Sequence, residues 1–260
     1  MTITVIRLAS FLFVLILCSL LQFIIPSRKF SNDRYKFMIS NLILVGFNNI
    51  LLGLIPLIPY TSSIYAQNNE LGLFNILRLP FFMEFIIAFL IMDIVIYFQH
   101  RLFHRVDFLW KLHAMHHIDP MLDTTSGLRF HPLEIILSNF IKVATILLLG
   151  ISPYVIISFE ITLNLLAMFN HSNIRINKKL ENKINKVLIT PALHTIHHSK
   201  IESETNSNFG FSVPWWDKLF KTFKAHGKYS QDKIHIGTLP MPDKSYQLFP
   251  KMLLYPFRRF

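Results

Sequence analysis

Apolar residues run almost unbroken from Thr4 to Ile25, with Arg7 as the single early charge. The run has the length of a membrane span, no small-x-small cleavage pattern follows it, and more apolar runs come later, so the sequence predicts a retained helix rather than a cleaved leader. A second run, from about Met38 to Pro59, is softened by Gly46, Gly53 and Pro56, and its Asn48 and Asn49 predict a polar side turned toward other helices. A third extends from Leu79 to Gln99. From Arg101 to Pro132 the chain is too polar and aromatic to span, which predicts a surface segment. Leu133 to Gly150 and Pro153 to Phe169 are shorter apolar runs joined by a tight turn, the pattern of a helical hairpin through or into the bilayer. Further on, Lys178, Lys179, Lys183 and Lys186 fall on one helical face and Leu180, Ile184, Val187 and Leu188 on the other. This predicts an amphipathic helix, either interfacial or packed on the protein surface. The expected fold is all-α and integral to the membrane: four to five transmembrane helices, including a helical hairpin, with a cytosolic His-rich helical cap.

Composition agrees, since 52% hydrophobic residues and a mean hydropathy of +0.41 over 260 residues place the chain in the membrane class as a single domain. Within it the expected parts are N-terminal spans and loops over 1–78, a His-rich region over 79–223 and a basic tail over 224–260. Charge sets the orientation. The first loop holds Arg28, Lys29, Arg34 and Lys36 against Asp33, whereas Thr61 to Leu77 carries Glu70 and no Lys or Arg, so the first loop is expected on the cytoplasmic side and the second opposite. From His171 onward there are 15 Lys and Arg against 6 Asp and Glu, most of the net +11. No nucleic-acid motif accompanies this basic surface, and anionic lipid headgroups suit it better. Cys18 is the single cysteine, so a disulfide within the chain and a thiolate metal site are both excluded.

The chemistry lies where the third run ends. His100-x3-His104 is followed by His113-x2-His116-His117 and, about eighty residues later, by His194-x2-His197-His198. Residues three and four apart share a helical face, so each cluster can aim its imidazoles at one point. Burying so many imidazoles without partners would cost on the order of 1–3 kcal/mol each, which makes a metal site the better reading. The predicted topology also returns His171 to the same side. Eight or nine histidines exceed the needs of one ion and fit two, and nitrogen ligation suits Zn, Cu, Fe or Ni alike.

Helical phase supplies candidate supporting residues. Asp93 precedes His100 and His104 on one face of the third run, while Glu160 and Asn164 precede His171 in the same way. A carboxylate in an apolar span is expected to be functional, and here the expected role is orienting a ligating imidazole. His131, isolated in Arg129-Phe130-His131-Pro132-Leu133-Glu134, is left open between ligand, supporting residue and structural histidine. A place at the mouth of a lipid tunnel or bracing a ligand suits it best. His226 and His235 have no histidine at helical spacing and are expected at the surface.

These blocks resemble the fatty acid hydroxylase superfamily, membrane di-iron enzymes that include sterol desaturases and alkylglycerol monooxygenase. The resemblance covers Asp93 to Phe223. It rests on the three His clusters, Leu109-Trp110-Lys111-Leu112-His113, Thr124 to Glu134, Phe169-Asn170-His171-Ser172-Asn173, Asn208-Phe209-Gly210 and Trp216-Asp217-Lys218-Leu219-Phe220, with the bacterial sterol desaturase family proteins nearest in character. It implies a cytosolic site for two iron ions held by His100, His104, His113, His116, His117, His194, His197 and His198, with His171 as a ninth ligand and Asn208 as a supporting residue. It also implies O2 activation, hydroxylation or desaturation of a membrane lipid at an unactivated carbon, and residence in a bacterial inner membrane. Two positions depart from the pattern: Asn206 stands where an acidic residue is expected, and Lys221 where a glycine is.

The expected function is therefore an O2-dependent di-iron lipid monooxygenase or desaturase acting on a sterol, fatty acyl or alkyl lipid. No haem or flavin region is evident, so a separate redox donor protein is expected. A metal transporter would need ligands along a path through the bilayer, and a zinc hydrolase would want a Glu base in a His-Glu-x-x-His run, which is absent.

Overall fold

The computed structural model describes residues 3–258. Its chain is helical, and among the described residues no sheet forms; two isolated bridges pair Pro26 with Ile174 and Ser199 with Ile236. Among the described residues five helices are long and apolar enough to cross a membrane: α1 (Ile3–Ile24), α2 (Arg34–Gly53), α5 (Phe81–Arg105), α7 (Pro132–Leu149) and α8 (Pro153–His171). Between α2 and α5 lie the short α3 (Pro59–Asn68) and α4 (Leu73–Leu77). The remaining helices are α6 (Asp107–His117), α9 (Lys178–Ile184), α10 (Pro191–His197), α11 (Glu202–Thr205) and α12 (Trp215–Leu219).

Local sequence explains the boundaries that matter. Pro132, Pro153 and Pro191 open α7, α8 and α10 at the position where a missing N–H costs nothing. Gly150 ends α7 at φ 70°, in the left-handed region, and there it meets Leu71 and Gly72 at such short range that a side chain on either glycine would collide with backbone. This contact puts the α2–α5 connection and the α7–α8 turn at one end of the bundle. The histidine-bearing segments gather at the other. Helix α2 starts at Arg34 rather than Met38 and stops at Gly53, before Pro56. Helix α5 runs six residues past Gln99, because a helix continues through polar residues where hydropathy alone suggests an end.

The core lies where α5, α7 and α8 meet, around Met92, Ile96, Ile146, Val155 and Phe159. A second cluster joins Leu44 of α2 to Ala114, Met115 and Ile118 around α6, and to Met252 and Tyr255 of a C-terminal 3-10 segment, Lys251–Phe257. The C-terminal segment from Tyr246 to Tyr255 thus folds back on the His-bearing helix. In contrast, the most apolar window of α1 is only 6% buried, with Leu8, Phe13, Ile16 and Leu20 facing outward, as lipid contact requires.

Glu160 corrects an expectation here. Its carboxylate pairs with Arg7 Nη2 at 3.0 Å and reaches Lys142 Nζ at 3.8 Å, tying α8 to α1 and α7 within the bilayer instead of orienting an imidazole. An unpaired charge at that depth would be costly, and polar pairing between helices relieves the cost. Asn164 follows it: its amide donates to the Glu160 carbonyl of its own helix, on an outward surface.

Candidate metal centre

The three clusters and His171 converge into two adjoining groups. His100 and His104 come from the last turns of α5, His113 and His117 from α6, and His197 from α10; in this group of five, one ligand atom from each lies within 4.8 Å of all the others. The second group, within the same limit, takes His116 from α6, His171 from the end of α8, His194 from α10 and His198 just after it. The adjacent pairs His116–His117 and His197–His198 divide between the groups because neighbouring residues on a helix point about 100° apart. The rings of His117 and His198 stack across the seam at 4.3 Å.

What holds the rings is mostly main chain. Nδ1 of His100 lies 2.7 Å from the Phe209 carbonyl, Nδ1 of His116 3.2 Å from that of Arg129, Nδ1 of His171 2.7 Å from that of Ala167 and Nδ1 of His197 2.8 Å from that of Ser207. A carbonyl can only accept, so each of these rings carries its proton on Nδ1 and presents a bare Nε2 lone pair. His113 is held the same way by a side chain, Glu134 Oε1 at 2.7 Å. The consequence is electrostatic. Nε2 of His171 faces Nε2 of His116 at 2.9 Å with no proton between them, an arrangement that repels unless a cation stands among the lone pairs. Nε2 of His100, His104, His113, His117 and His197 are likewise shielded from water and have no hydrogen-bond partner. The N···N separations of 2.9–3.2 Å in the second group are those of ligands at right angles on one ion with bonds of about 2.1 Å. The residues fit metal.

Protonation follows the same logic. Burial, reinforced by the surrounding imidazoles, pushes His116, His117, His194 and His198 well below the ordinary imidazole range and His197 to about 3, so all are neutral, the ligand form. The metal-free protein should therefore lose thermal stability as pH falls from about 6.5 toward 3. Over that window the unfolded chain takes up protons at histidines that the folded chain keeps neutral. A chelated sample with a flat melting temperature across that range would contradict it.

The fatty acid hydroxylase profile matches residues 85–222, more than half the chain and the whole of both histidine groups. The chain belongs to the fatty acid hydroxylase family. It is 27% identical to an ornithine lipid hydroxylase of Rhizobium tropici over 69% of its own length and 52% of that protein's. It is 28% identical to human alkylglycerol monooxygenase over 66% and 37%, and 29% identical to sphinganine C4-monooxygenase 1 of Arabidopsis thaliana over 59% and 58%. The chain thus spans about half the length of the first of these relatives and less of the second. No solved structure is significantly similar to it.

Within this fatty acid hydroxylase chain, several expected supporting roles are redistributed. Asp93 lies on the predicted face of α5, yet its carboxylate accepts hydrogen bonds from Ser212 Oγ and Trp216 Nε1; it clamps the 209–216 segment that brings the Phe209 carbonyl to His100. It acts through that segment, not on an imidazole. Asp217 finishes the clamp by accepting from the amides of Phe209 and Gly210 and from Thr222 Oγ1. Asn208 sits at φ 52°, where asparagine is tolerated, and donates to the Leu193 carbonyl next to His194, so its contact with the third cluster is through backbone. Asn206, the first departure, has an exposed side chain, and the His197 ring is held by the Ser207 carbonyl. Lys221 sits at φ 58°, which is why a glycine suits that position.

His131 lies in neither group. Its Nδ1 accepts from the Leu133 amide to cap α7, and its Nε2 donates to the Leu253 carbonyl, so it fastens the C-terminal segment to α7. His226 and His235 are exposed, as expected. The supporting residue that spacing missed is Glu134. Glu134→Gln should weaken metal binding about 10- to 100-fold by removing the charge behind His113; an unchanged affinity in a competition titration would refute that role.

Proposed function

We propose that the chain is an O2-dependent di-iron lipid hydroxylase or desaturase, with its metal centre on the cytoplasmic face and electrons drawn from a separate redox protein. The observation that supports this most directly is the pair of buried, converging, all-imidazole groups at one end of the membrane spans in a member of the fatty acid hydroxylase family. The nine histidines would hold two iron ions, which in this family's chemistry activate O2 and supply the oxidant for an unactivated C–H bond. The chain's own residues do the rest. Glu134 and the four carbonyls fix each ring's tautomer and direction. Phe130 stacks on His116 at 4.6 Å, and Trp110 and Phe209 lie 4.9 and 5.1 Å from His104, a hydrophobic lining that keeps water from the reacting carbon. Gathering the groups at the span ends suits a substrate that arrives from the bilayer. A transporter would instead line a path through it.

The names of the relatives favour lipid substrates, with hydroxylation represented by the ornithine lipid and sphinganine enzymes and desaturation by a putative Delta(7)-sterol-C5(6)-desaturase of Arabidopsis thaliana. The first loop, rich in Arg and Lys, supports the cytoplasmic placement of the site end. Lipid extracts from cells expressing the chain or its His117→Ala variant test the reading by mass spectrometry. A lipid gaining one oxygen or losing a hydrogen pair only with the unaltered chain is expected; identical lipid profiles under aerobic, iron-replete growth would overturn it.

A further inference from the structure

Beside the second histidine group the fold buries hydrogen-bond donors that nothing accepts. Six nitrogens, Arg28 Nε and Nη2, Arg34 Nη1 and Nη2, Gln22 Nε2 and Gln231 Nε2, are shielded from solvent and lack an acceptor; the buried unpartnered oxygens nearby, Asn41 Oδ1 and Thr124 Oγ1, are too few to satisfy them. Arg34 is 1% exposed and Gln22 fully buried. These residues are one cluster. The Gln22 carbonyl oxygen accepts from the amides of Thr124 and Asn173 at 3.1 and 3.2 Å, Asn173 exchanges hydrogen bonds with the Arg28 backbone, and Gln231 Oε1 accepts from Ser27, the residue before Arg28. Phe30 lies under the Arg34 guanidinium at 3.2 Å and fixes its direction.

The nearby carboxylates do not satisfy these cations. Asp119 and Asp123 face them, but among the described residues no carboxylate oxygen comes within the 4.0 Å of an ion pair with Arg28 or Arg34. Three of their four oxygens are engaged in their own loop: Asp119 Oδ1 accepts from the Met121 amide and Oδ2 from Ser126 Oγ, and Asp123 Oδ1 from the Thr125 amide and Oγ1. Arg129, the third buried guanidinium here, donates through Nε and Nη2 to the carbonyls of Met115 and Tyr246, and its Nη1 too is left without an acceptor. Two nitrogens on each of two guanidinium groups and two amide N–H2 groups thus remain without acceptors, and a buried set of that kind is stabilised by an oxyanion. Phosphate fits best, because guanidinium forks match its oxygens two at a time. The position names its source. The cluster lies where α1 ends and α2 begins, directly after the outward-facing Leu20, Phe23 and Ile24, at the headgroup level of the bilayer.

We propose that Gln22, Arg28 and Arg34 form a binding site for the phosphate of a membrane lipid's headgroup. The site adjoins the segments that carry the second histidine group: Arg28 Nη1 lies 3.4 Å from Thr195 Oγ1, next to His194 in the chain, and Asn173 is two residues from His171. A lipid held by its phosphate is therefore presented beside the second histidine group, which makes a phosphate-bearing lipid the substrate class. That last step rests on the lipid-oxygenase reading above; the binding itself does not.

Native mass spectrometry of the full chain in detergent tests it with three probes, dioctanoyl phosphatidic acid, dioctanoylglycerol and inorganic phosphate. Phosphatidic acid should bind at least about tenfold more tightly than either of the others, and Arg34→Gln and Arg28→Gln should each lose about that factor while keeping their metal. Gln22→Glu keeps the oxygen that accepts from Thr124 and Asn173 but sets a negative charge where the donor was, so it too should weaken phosphatidic acid. Equal binding of dioctanoylglycerol, or a Gln22→Glu protein that melts higher yet binds phosphatidic acid unchanged, would overturn the proposal. Inorganic phosphate binding as tightly as the lipid would overturn its lipid source. Because binding is read without turnover, a chain that binds phosphatidic acid but oxidises no lipid separates failure of the catalytic reading from failure of this one.

Discussion

His171→Ala should empty the second histidine group and leave the first loaded, lowering metal per protein from about two to about one and activity by on the order of a thousandfold or more. The reason is geometric. His171 is the single contribution of α8 to that group, and its Nε2 stands 2.9 Å from those of both His116 and His194, so no neighbour can take its place. His117→Ala should act on the first group in the same way, since both nitrogens of that ring are buried without partners. His131→Ala is the control: it should keep the full metal complement and lose about 1 kcal/mol of stability with its helix cap. Elemental analysis of the three purified variants decides the assignment. A His171→Ala protein with undiminished metal would show that His171 is not a ligand.

Gly127→Ala should damage the site nearly as much although residue 127 bears no functional group. The 3-10 helix Thr124–Leu128 packs so closely on α8 that an added Cβ would fall 2.3 Å from the Ala167 carbonyl oxygen and 3.0 Å from His171 Nδ1. That carbonyl is the acceptor that sets the His171 ring. Relieving the collision moves α8 or turns the ring, so a loss of about 1–3 kcal/mol or more in stability is expected together with depletion of the second group. Thermal melts combined with metal counts check both halves; normal melting and normal metal would show that the two segments can part without consequence.

The convergence of the histidines was legible in the sequence because a candidate metal site writes a periodic signal: imidazoles at helical spacing, at the polar end of apolar runs. The division into five and four was not, since it depends on how α6 and α10 face each other. Glu134 was invisible as a partner of His113 because the two meet across elements, although an acid at the start of an apolar run was the available clue. For Asp93 the helical phase gave the right face and the wrong neighbour; phase fixes where a side chain points, and only the 209–216 segment determines what it meets. The main-chain carbonyls of Ala167, Arg129, Ser207 and Phe209 carry no signal at all, for every residue has one. Glu160 followed the ordinary rule for a charge in a span, pairing with Arg7 and Lys142.

The split of neighbouring histidines between the two groups has a consequence for biosynthesis. As the chain leaves the ribosome, residues 100–117 deliver four of the five imidazoles of the first group, but His116 alone of the second. His171 comes more than fifty residues later, and the remaining two ligands only with His194 and His198. The first group can therefore begin to assemble on the nascent chain and needs only His197 to be complete, whereas the second gathers almost entirely after the last span has been inserted and α10 has folded over it.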